Sequence, residues 1–340
     1  MIPAPPLPAR ALGPLAVSAI GLGCMNLSHA YGEKPDEAAA VRLLNHALDR
    51  GITLLDTAAL YGFGANEELI GRAVGHRRAD YVLASKCVLD SVDGKRGLDG
   101  SPAAITACLD RALGRLNTDH IDLYYLHRLD ARVPIEDSVG ALVRAVEAGK
   151  IGSIGLSEMS AATIRRAHAV HPVAAVQSEY SPIVRNPDVA VLDACAELGI
   201  GFVAFSPVCR GLLAGAVRSD DYAPGDLRLT LPRFTGDNLR HNLAAVAAWD
   251  RLAAEHDCTP GQLAIAWVLA RAPHIVPIPG TRSITHLDDL LGGLSVRLDP
   301  GAMARIDAIF APGAVRGARY PAAAQAQIDT ELLPHEELAA

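Results

Sequence analysis

Four residues sit where their types and spacing can do chemistry. Asp56 ends the apolar run ITLLD (52–56), Lys86 ends YVLASK (81–86) and His127 ends IDLYYLH (121–127). Tyr61 follows Asp56 by five residues, inside DTAALYGFG. Singly, each has an ordinary reading, such as a satisfied core histidine or a lysine snorkelling from a strand end. Together they do not. An Asp and a Lys that both end buried strands must pair, because an unpaired buried charge is costly. A tyrosine hydroxyl has an ordinary pKa of about 10, too high for easy proton exchange at neutral pH. A cation about 4 Å away, at an effective dielectric of about 20, is worth roughly 4 kcal/mol, or about 3 pKa units. Lys86 can supply that cation, and Asp56 keeps it charged against desolvation. The expected product is a Tyr61 of lowered pKa that protonates a developing alkoxide and takes the proton back in reverse. His127 hydrogen-bonds the same oxygen.

The set contains no nucleophile with its base and no metal cluster. GxSxG, HExxH and His-x-His are all absent from the sequence. His168 and His171 share a helix at i, i+3 without an acidic companion, which reads as a packing or surface pair. A proton donor without a nucleophile needs another partner at the carbonyl, and hydride from a nicotinamide fits. Two segments offer to hold its phosphates. SPVCRGLLAG (206–215) contributes Ser206, Arg210 and glycines, and PIPGTRSITHLDDL (277–290) contributes Gly280, Thr281, Arg282 and a helix capped by Ser283. A helix N-terminus, hydroxyls and a guanidinium make an anion site.

Such residues need elements that bring them together. Short apolar runs recur at 19–23, 52–56, 81–86, 121–127, 150–157, 174–179, 201–206 and 274–280, near-continuous rather than alternating, as parallel strands covered by helices are. Between them lie capped helix patterns. Residues 36–50 stop at Gly51 and 135–148 at Gly149. Ser160 caps a helix that ends before Pro172, Asn186-Pro187 opens one that ends at Gly199, and Thr259-Pro260 opens another. Eight βα units predict an α/β protein of the (β/α)8 barrel type, in which strand ends converge on one rim. The competing open doubly wound sheet is disfavoured, because GLGCMN lacks the third glycine of the dinucleotide fingerprint and no acidic residue follows in a ribose-binding context. The whole chain, 1–340, reads as one domain with a core of about 15–311. The longer segments 24–35, 87–102 and 207–239 are the expected pocket walls, with a helical stretch around 240–256. The Ala-rich tail 312–340 is open between a mobile segment and one that closes over the pocket.

Composition narrows the partners. The chain has 340 residues, half of them apolar and a fifth charged. Lys plus Arg number 31 against 38 Asp plus Glu, a net charge of −7 that argues against a nucleic-acid binder. Aromatics are 4%, too few for a base-stacking surface. The six cysteines form no CxxC pair and suit neither a disulfide framework nor a zinc site. The start, MIPAPPLPAR, has no apolar signal region, and Leu12 to Gly32 is too interrupted to span a membrane. The expectation is a reduced, cytoplasmic protein with no membrane partner; oligomeric state is not legible.

These stretches resemble the aldo-keto reductase superfamily. The matching segments are IGLGCM (20–25), GITLLDTAALYGFGANEELIGRA (51–73), LASK (83–86), IDLYYLHRLD (121–130), GKIGSIGLSE (149–158), VQSEYSP (176–182), GFVAFSPVCRGLLAG (201–215) and PIPGTRSITHLDDL (277–290), in matching order and spacing. The likeness is to bacterial reductases with GLSE after the fifth strand and, more distantly, to potassium-channel β-subunits. It implies NADPH-dependent reduction of an aldehyde or ketone without metal. Asp56, Tyr61, Lys86 and His127 then look like the catalytic tetrad, with Tyr61 the general acid, and Ser157 with Gln177 like the pair that holds the nicotinamide carboxamide. Phe205 stands where a stacking Tyr is usual. Ser206, Arg210 and Gly211 fall in the pyrophosphate segment, and Gly280, Thr281, Arg282, His286 and Asp289 in the segment for the 2′-phosphate and adenine. Arg282 and His286 favour NADPH over NADH. The sequence departs from the pattern at Glu158 and Leu290, where Asn is usual, and at Asp289, where Glu is usual. Met25, Tyr31, Phe63, Leu89 and Arg128 are the candidate substrate contacts, and their mix suggests a largely apolar or aromatic carbonyl compound. The second reading is an NADP(H)-binding, redox-sensing subunit with little turnover.

Overall fold

The computed structural model describes residues 7–92 and 95–339, so most of the Pro-rich start lies outside the described residues. An antiparallel hairpin, β1 (Ala9–Leu12) and β2 (Leu15–Ser18), precedes the barrel. The barrel strands are β3 (Leu22–Gly23), β4 (Leu54–Asp56), β5 (Val82–Cys87), β8 (Ile121–Leu126), β9 (Ile151–Ser157), β10 (Val173–Glu179), β11 (Gly201–Phe205) and β12 (Ile275–Ile278), all parallel and in that order around the sheet. A second hairpin, β6 (Leu89–Val92) with β7 (Lys95–Leu98), fills the connection after β5. The eight parallel strands match the eight apolar runs.

Two backbone bonds close the ring, from Gly21 N–H to Pro277 O (3.0 Å) and from Gly23 N–H to Pro279 O (3.1 Å). The glycines of GLGCMN serve this seam. A Cβ on Gly21 would stand 2.9 Å from the Ile278 side chain, and one on Gly23 would stand 2.8 Å from the Ile278 carbonyl. What resembles half of a dinucleotide fingerprint is the close approach of first and last strands.

The α-helices are α1 (Glu37–Asp49), α2 (Ala65–Val74), α3 (Pro102–Leu116), α4 (Ile135–Glu147), α5 (Ala161–Val170), α6 (Val191–Leu198), α7 (Gly236–Glu255), α8 (Pro260–Arg271), α9 (Ile284–Leu291), α10 (Pro300–Ile309) and α11 (Ala322–Gln325), with short 3-10 turns between several of the elements. The expected caps form at Ser160, Thr259 and Ser283, the second as a capping box with Gln262, and Asp36 caps α1 as well. Asn186-Pro187 differs. It makes a short 3-10 turn, Asn186–Asp188, and α6 begins only at Val191. The Asn186 amide donates instead to the Glu331 carbonyl (3.0 Å) and the Glu336 carboxylate, so the C-terminal tail has recruited the side chain that would have capped.

Two cores result. One lies between strands and helices. The other fills the barrel, where Leu54, Ala84, Leu123, Tyr125, Val203, Val276 and Ile278 meet Leu12 and Val17 of the first hairpin, which forms the floor. Tyr125 on β8 stands in register with Gly155 on β9, and a Cβ there would approach the ring to 2.3 Å.

Candidate active site

Strand alternation aims the chemistry. Leu54 and Asp56 share a face of β4, Ala84 and Lys86 a face of β5, and Leu123, Tyr125 and His127 a face of β8 and its end. The apolar members fill the barrel, and the polar ones form the next layer at its C-terminal rim. After β4 the chain keeps bonding to β5, from Thr57 N–H to Ala84 O (2.9 Å) and Ala59 N–H to Lys86 O (3.2 Å). It then turns through Gly62, Phe63 and Gly64, all at positive φ (60°, 52° and 95°), which folds Tyr61 back over Lys86.

The Lys86 ammonium, fully buried, donates to the Asp56 carboxylate, to Thr57 O (2.8 Å) and to the Tyr61 hydroxyl oxygen (3.2 Å). The other Asp56 oxygen accepts from Gln177 Nε2 (2.7 Å). An ammonium only donates, so Tyr61 accepts from it and keeps its own proton for a second partner. The His127 ring lies edge-on to Tyr61, with centroids 5.9 Å apart.

The charges depart from the sequence expectation in one respect. Burial pulls the Lys86 ammonium down, but Asp56 and Tyr61 outweigh it and hold the amine above its ordinary range. For Tyr61, burial is the largest influence and raises the phenol; Lys86 pulls it back, Asp56 opposes Lys86, and the net lies above the ordinary value. The expected acidification is overturned, first because burial raises the phenol and then because the carboxylate that keeps Lys86 charged also offsets its field. His127 is pushed well below the ordinary imidazole value, first by burial and then by Arg128, Lys86 and Arg96, so it is neutral at neutral pH.

A cavity of about 1040 Å³ opens above this layer. Asp56, Tyr61 and His127 line it, whereas Lys86 stays behind Tyr61. Ser157, Gln177, Phe205, Ser206, Arg210, Gly211, Gly280, Thr281, Arg282, His286 and Asp289 also line it, as do Met25, Tyr31, Phe63, Leu89 and Arg128. The three long segments supply its walls. Several of these side chains have other attachments. The Arg210 guanidinium donates to Glu179 (3.1 Å), Tyr31 OH (3.1 Å) and Tyr320 OH (2.9 Å). Asp289 accepts from Thr259 Oγ1 and Gln262 Nε2, both at 3.0 Å. Arg282 reaches the Glu33 carbonyl.

Sequence reasoning missed one part of the site and left a second open. Asn66 is buried, accepts from Thr57 Oγ1 (2.6 Å) and donates to Cys24 O (2.9 Å) and Ser28 Oγ (2.8 Å), which locks the loop after β4 to the loop after β3. The second part is the tail. Tyr320, Pro321, Ala324 and Ile328 line the cavity. Arg319 donates to Glu158 and Glu179, Tyr320 to Glu179 (2.8 Å), and Thr330 to Glu158 (3.0 Å). Glu158 has φ 54°, a conformation that suits Asn better, and its carboxylate turns to the tail rather than to the cavity. The tail therefore forms a wall.

The residues fit a nicotinamide dinucleotide. The volume lies at the upper end for drug-sized ligands, which leaves room for a dinucleotide. Phe205 offers a ring face, and the Ser283-capped start of α9, with Arg282 and His286 beside it, offers a cationic end suited to phosphate.

Comparison with known proteins agrees. A model of the Aldo/keto reductase family matches residues 19–311. Aldo-keto reductase yakc (NADP(+)) of Schizosaccharomyces pombe is 44% identical over 338 residues, spanning 96% of this chain and 99% of that one. The structure is similar to the glycerol dehydrogenase AKR11B4 from Gluconobacter oxydans (TM-score 0.81, 27% identity, 96% and 97% of the two chains). It is also similar to the holo form of aldo-keto reductase AKR11C1 from Bacillus halodurans (0.72, 26%, 93% and 98%).

Proposed function

From the premise that this chain belongs to the aldo/keto reductase family, we propose that it reduces an aldehyde or ketone to the alcohol with Tyr61 as proton donor. It is an NADP(H)-dependent oxidoreductase, and the bound dihydronicotinamide supplies the hydride. The observation that carries the Tyr61 assignment is the direction of the bond from Lys86, which leaves the phenolic proton for the cavity.

Each residue has a task. Tyr61 donates its proton to the substrate oxygen as negative charge develops there. An alkoxide is a far stronger base than a phenolate, so a phenol above its ordinary pKa still transfers favourably. Neutral His127 hydrogen-bonds the same oxygen and fixes the carbonyl's direction. Lys86 stabilises the phenolate left behind, and Asp56, held by Gln177, keeps Lys86 in place. Arg282, His286 and the start of α9 would hold the 2′-phosphate end, Phe205, Ser157 and Gln177 would hold the nicotinamide, and the segment around Ser206 and Gly211 would hold the pyrophosphate. Arg210 acts through its contacts with Glu179 and Tyr320.

Replacing Tyr61 by Phe tests this. Turnover should fall by about 10² to 10⁴-fold while NADPH still binds, followed by nicotinamide absorbance for the first and fluorescence titration for the second. Comparable turnover in the variant removes Tyr61 from the mechanism. Negligible turnover by the unaltered protein across aldehydes and ketones, with NADPH retained, points instead to a cofactor-binding regulatory subunit.

A further inference from the structure

Five arginines line the cavity: Arg96, Arg128, Arg210, Arg228 and Arg282. Arg210 pairs with Glu179 (3.1 Å) and Arg228 with Asp226 (2.7 Å). Arg282 belongs to the phosphate end. Arg96 and Arg128 stand at the opposite, catalytic end. Arg128 adjoins His127 and donates to its carbonyl (2.6 Å) and to Ser157 Oγ (3.3 Å); Arg96 donates to Gln327 Oε1 (2.5 Å). These partners are neutral. Among the described residues neither guanidinium has a carboxylate within 4.0 Å. The neighbouring carboxylates are engaged elsewhere, Asp90 with Arg111, Asp130 with Arg132 and Asp329 with Ser160.

Two cations that face one cavity beside a neutral imidazole repel each other. Both also disfavour protonation of His127, after burial has done most of that. Each retains unused donors in a planar fork, the geometry that takes carboxylate or phosphate in a bidentate manner. The cofactor's phosphates are already assigned, to Arg282 and His286 and to the segment around Ser206 and Gly211. Arg96 is exposed and Arg128 half-buried, so water now balances both charges, and an anionic group on the second molecule that enters would replace that water at the two open forks.

We infer that the carbonyl substrate carries an anionic group, a carboxylate or a phosphate, which Arg128 and Arg96 grip while its carbonyl oxygen meets Tyr61 and His127. This rests on the carbonyl-reductase reading and specifies its substrate class. The expected apolar lining is one wall of the same pocket, where Met25, Leu89, Tyr320 and Ile328 cover the carbon skeleton.

Two matched pairs test it with the full chain and NADPH: 4-oxobutanoate against methyl 4-oxobutanoate, and glyceraldehyde 3-phosphate against glyceraldehyde. In at least one pair the anionic member should have a kcat/KM about 10-fold or more above its neutral counterpart, carried by KM. The pair that shows the excess identifies the anion. The excess should shrink by about 10-fold in Arg96→Gln and in Arg128→Gln, and in the unaltered protein it should shrink as salt is raised. Equal kcat/KM within both pairs, or reduction confined to neutral carbonyls, overturns the inference and leaves the reductase reading standing. No turnover of any aldehyde or ketone overturns that reading and the inference with it.

Discussion

Lys86 organises the site because an ammonium has three hydrogens and no lone pair. Its three acceptors are Asp56, the Thr57 carbonyl and the Tyr61 oxygen. That geometry sets the direction of the Tyr61 proton and pulls the phenol down, but burial outweighs it and leaves the phenol above its ordinary value. The pH consequence follows by sign. The donating form of Tyr61 is lost only as pH rises past its pKa, which lies above the ordinary 10. His127, pushed well below 6.5, stays neutral through the same range. The kcat/KM for reduction should therefore be flat from about pH 6 to about pH 9 and fall only beyond it. A falling limb centred near pH 7 would mean that cofactor or substrate restores the acidification expected from Lys86 alone.

At the scale of elements, the wall contributed by the tail is held by a buried set of two carboxylates and two guanidiniums. Glu158 and Glu179 close the ends of β9 and β10, Arg210 comes from the loop after β11, and Arg319 comes from the tail. All four side chains are at most 5% exposed. The charges balance, so the set is tolerable when complete and costly when one member is removed. Burial alone would raise the Glu179 carboxyl, but Arg210, Arg319 and Tyr320 hold it down at about 2, against an ordinary 4.5. Its contribution to stability is therefore full above about pH 4.5 and is lost as pH falls towards 2. Glu179→Gln should cost about 3–5 kcal/mol in urea unfolding at pH 7. Its deficit against the unaltered protein should narrow at pH 3. An equal deficit at both pH values would show that Glu179 acts by packing rather than charge.

The whole molecule depends on a barrel that is filled below and open above. Leu12, fully buried in the inner core, brings the hairpin floor against Leu54, Val203 and Val276. Arg10 ties the same hairpin to the carbonyls of Ala272 (3.0 Å) and Leu269 (2.8 Å). Leu12→Ala should cost about 2–5 kcal/mol, read by denaturant unfolding, with kcat/KM at 25 °C little changed because the rim lies at the other end of the strands. Much of this architecture was legible beforehand. The strand runs, the caps at Ser160, Thr259 and Ser283, and the polar residues at the ends of β4, β5 and β8 are local patterns, and local patterns survive folding. The Asn186 cap was misread because its competitor, the tail around Glu331 and Glu336, lies about 145 to 150 residues away.

By itself, then, the chain's order of residue types determined a barrel and a rim bearing Asp, Tyr, Lys and His. A period of two in strands and the capping chemistry of helix ends act between near neighbours. Beyond the Asp56–Lys86 pair, only the tertiary structure decided which charges meet. Glu158 and Arg319 are 161 positions apart, and Gln177 is 121 from the Asp56 it holds. It also decided the sign of the Tyr61 shift and, among the described residues, left Arg96 and Arg128 without a carboxylate within 4.0 Å. Burial and pairing depend on distances between remote segments, and no reading along the chain contains them.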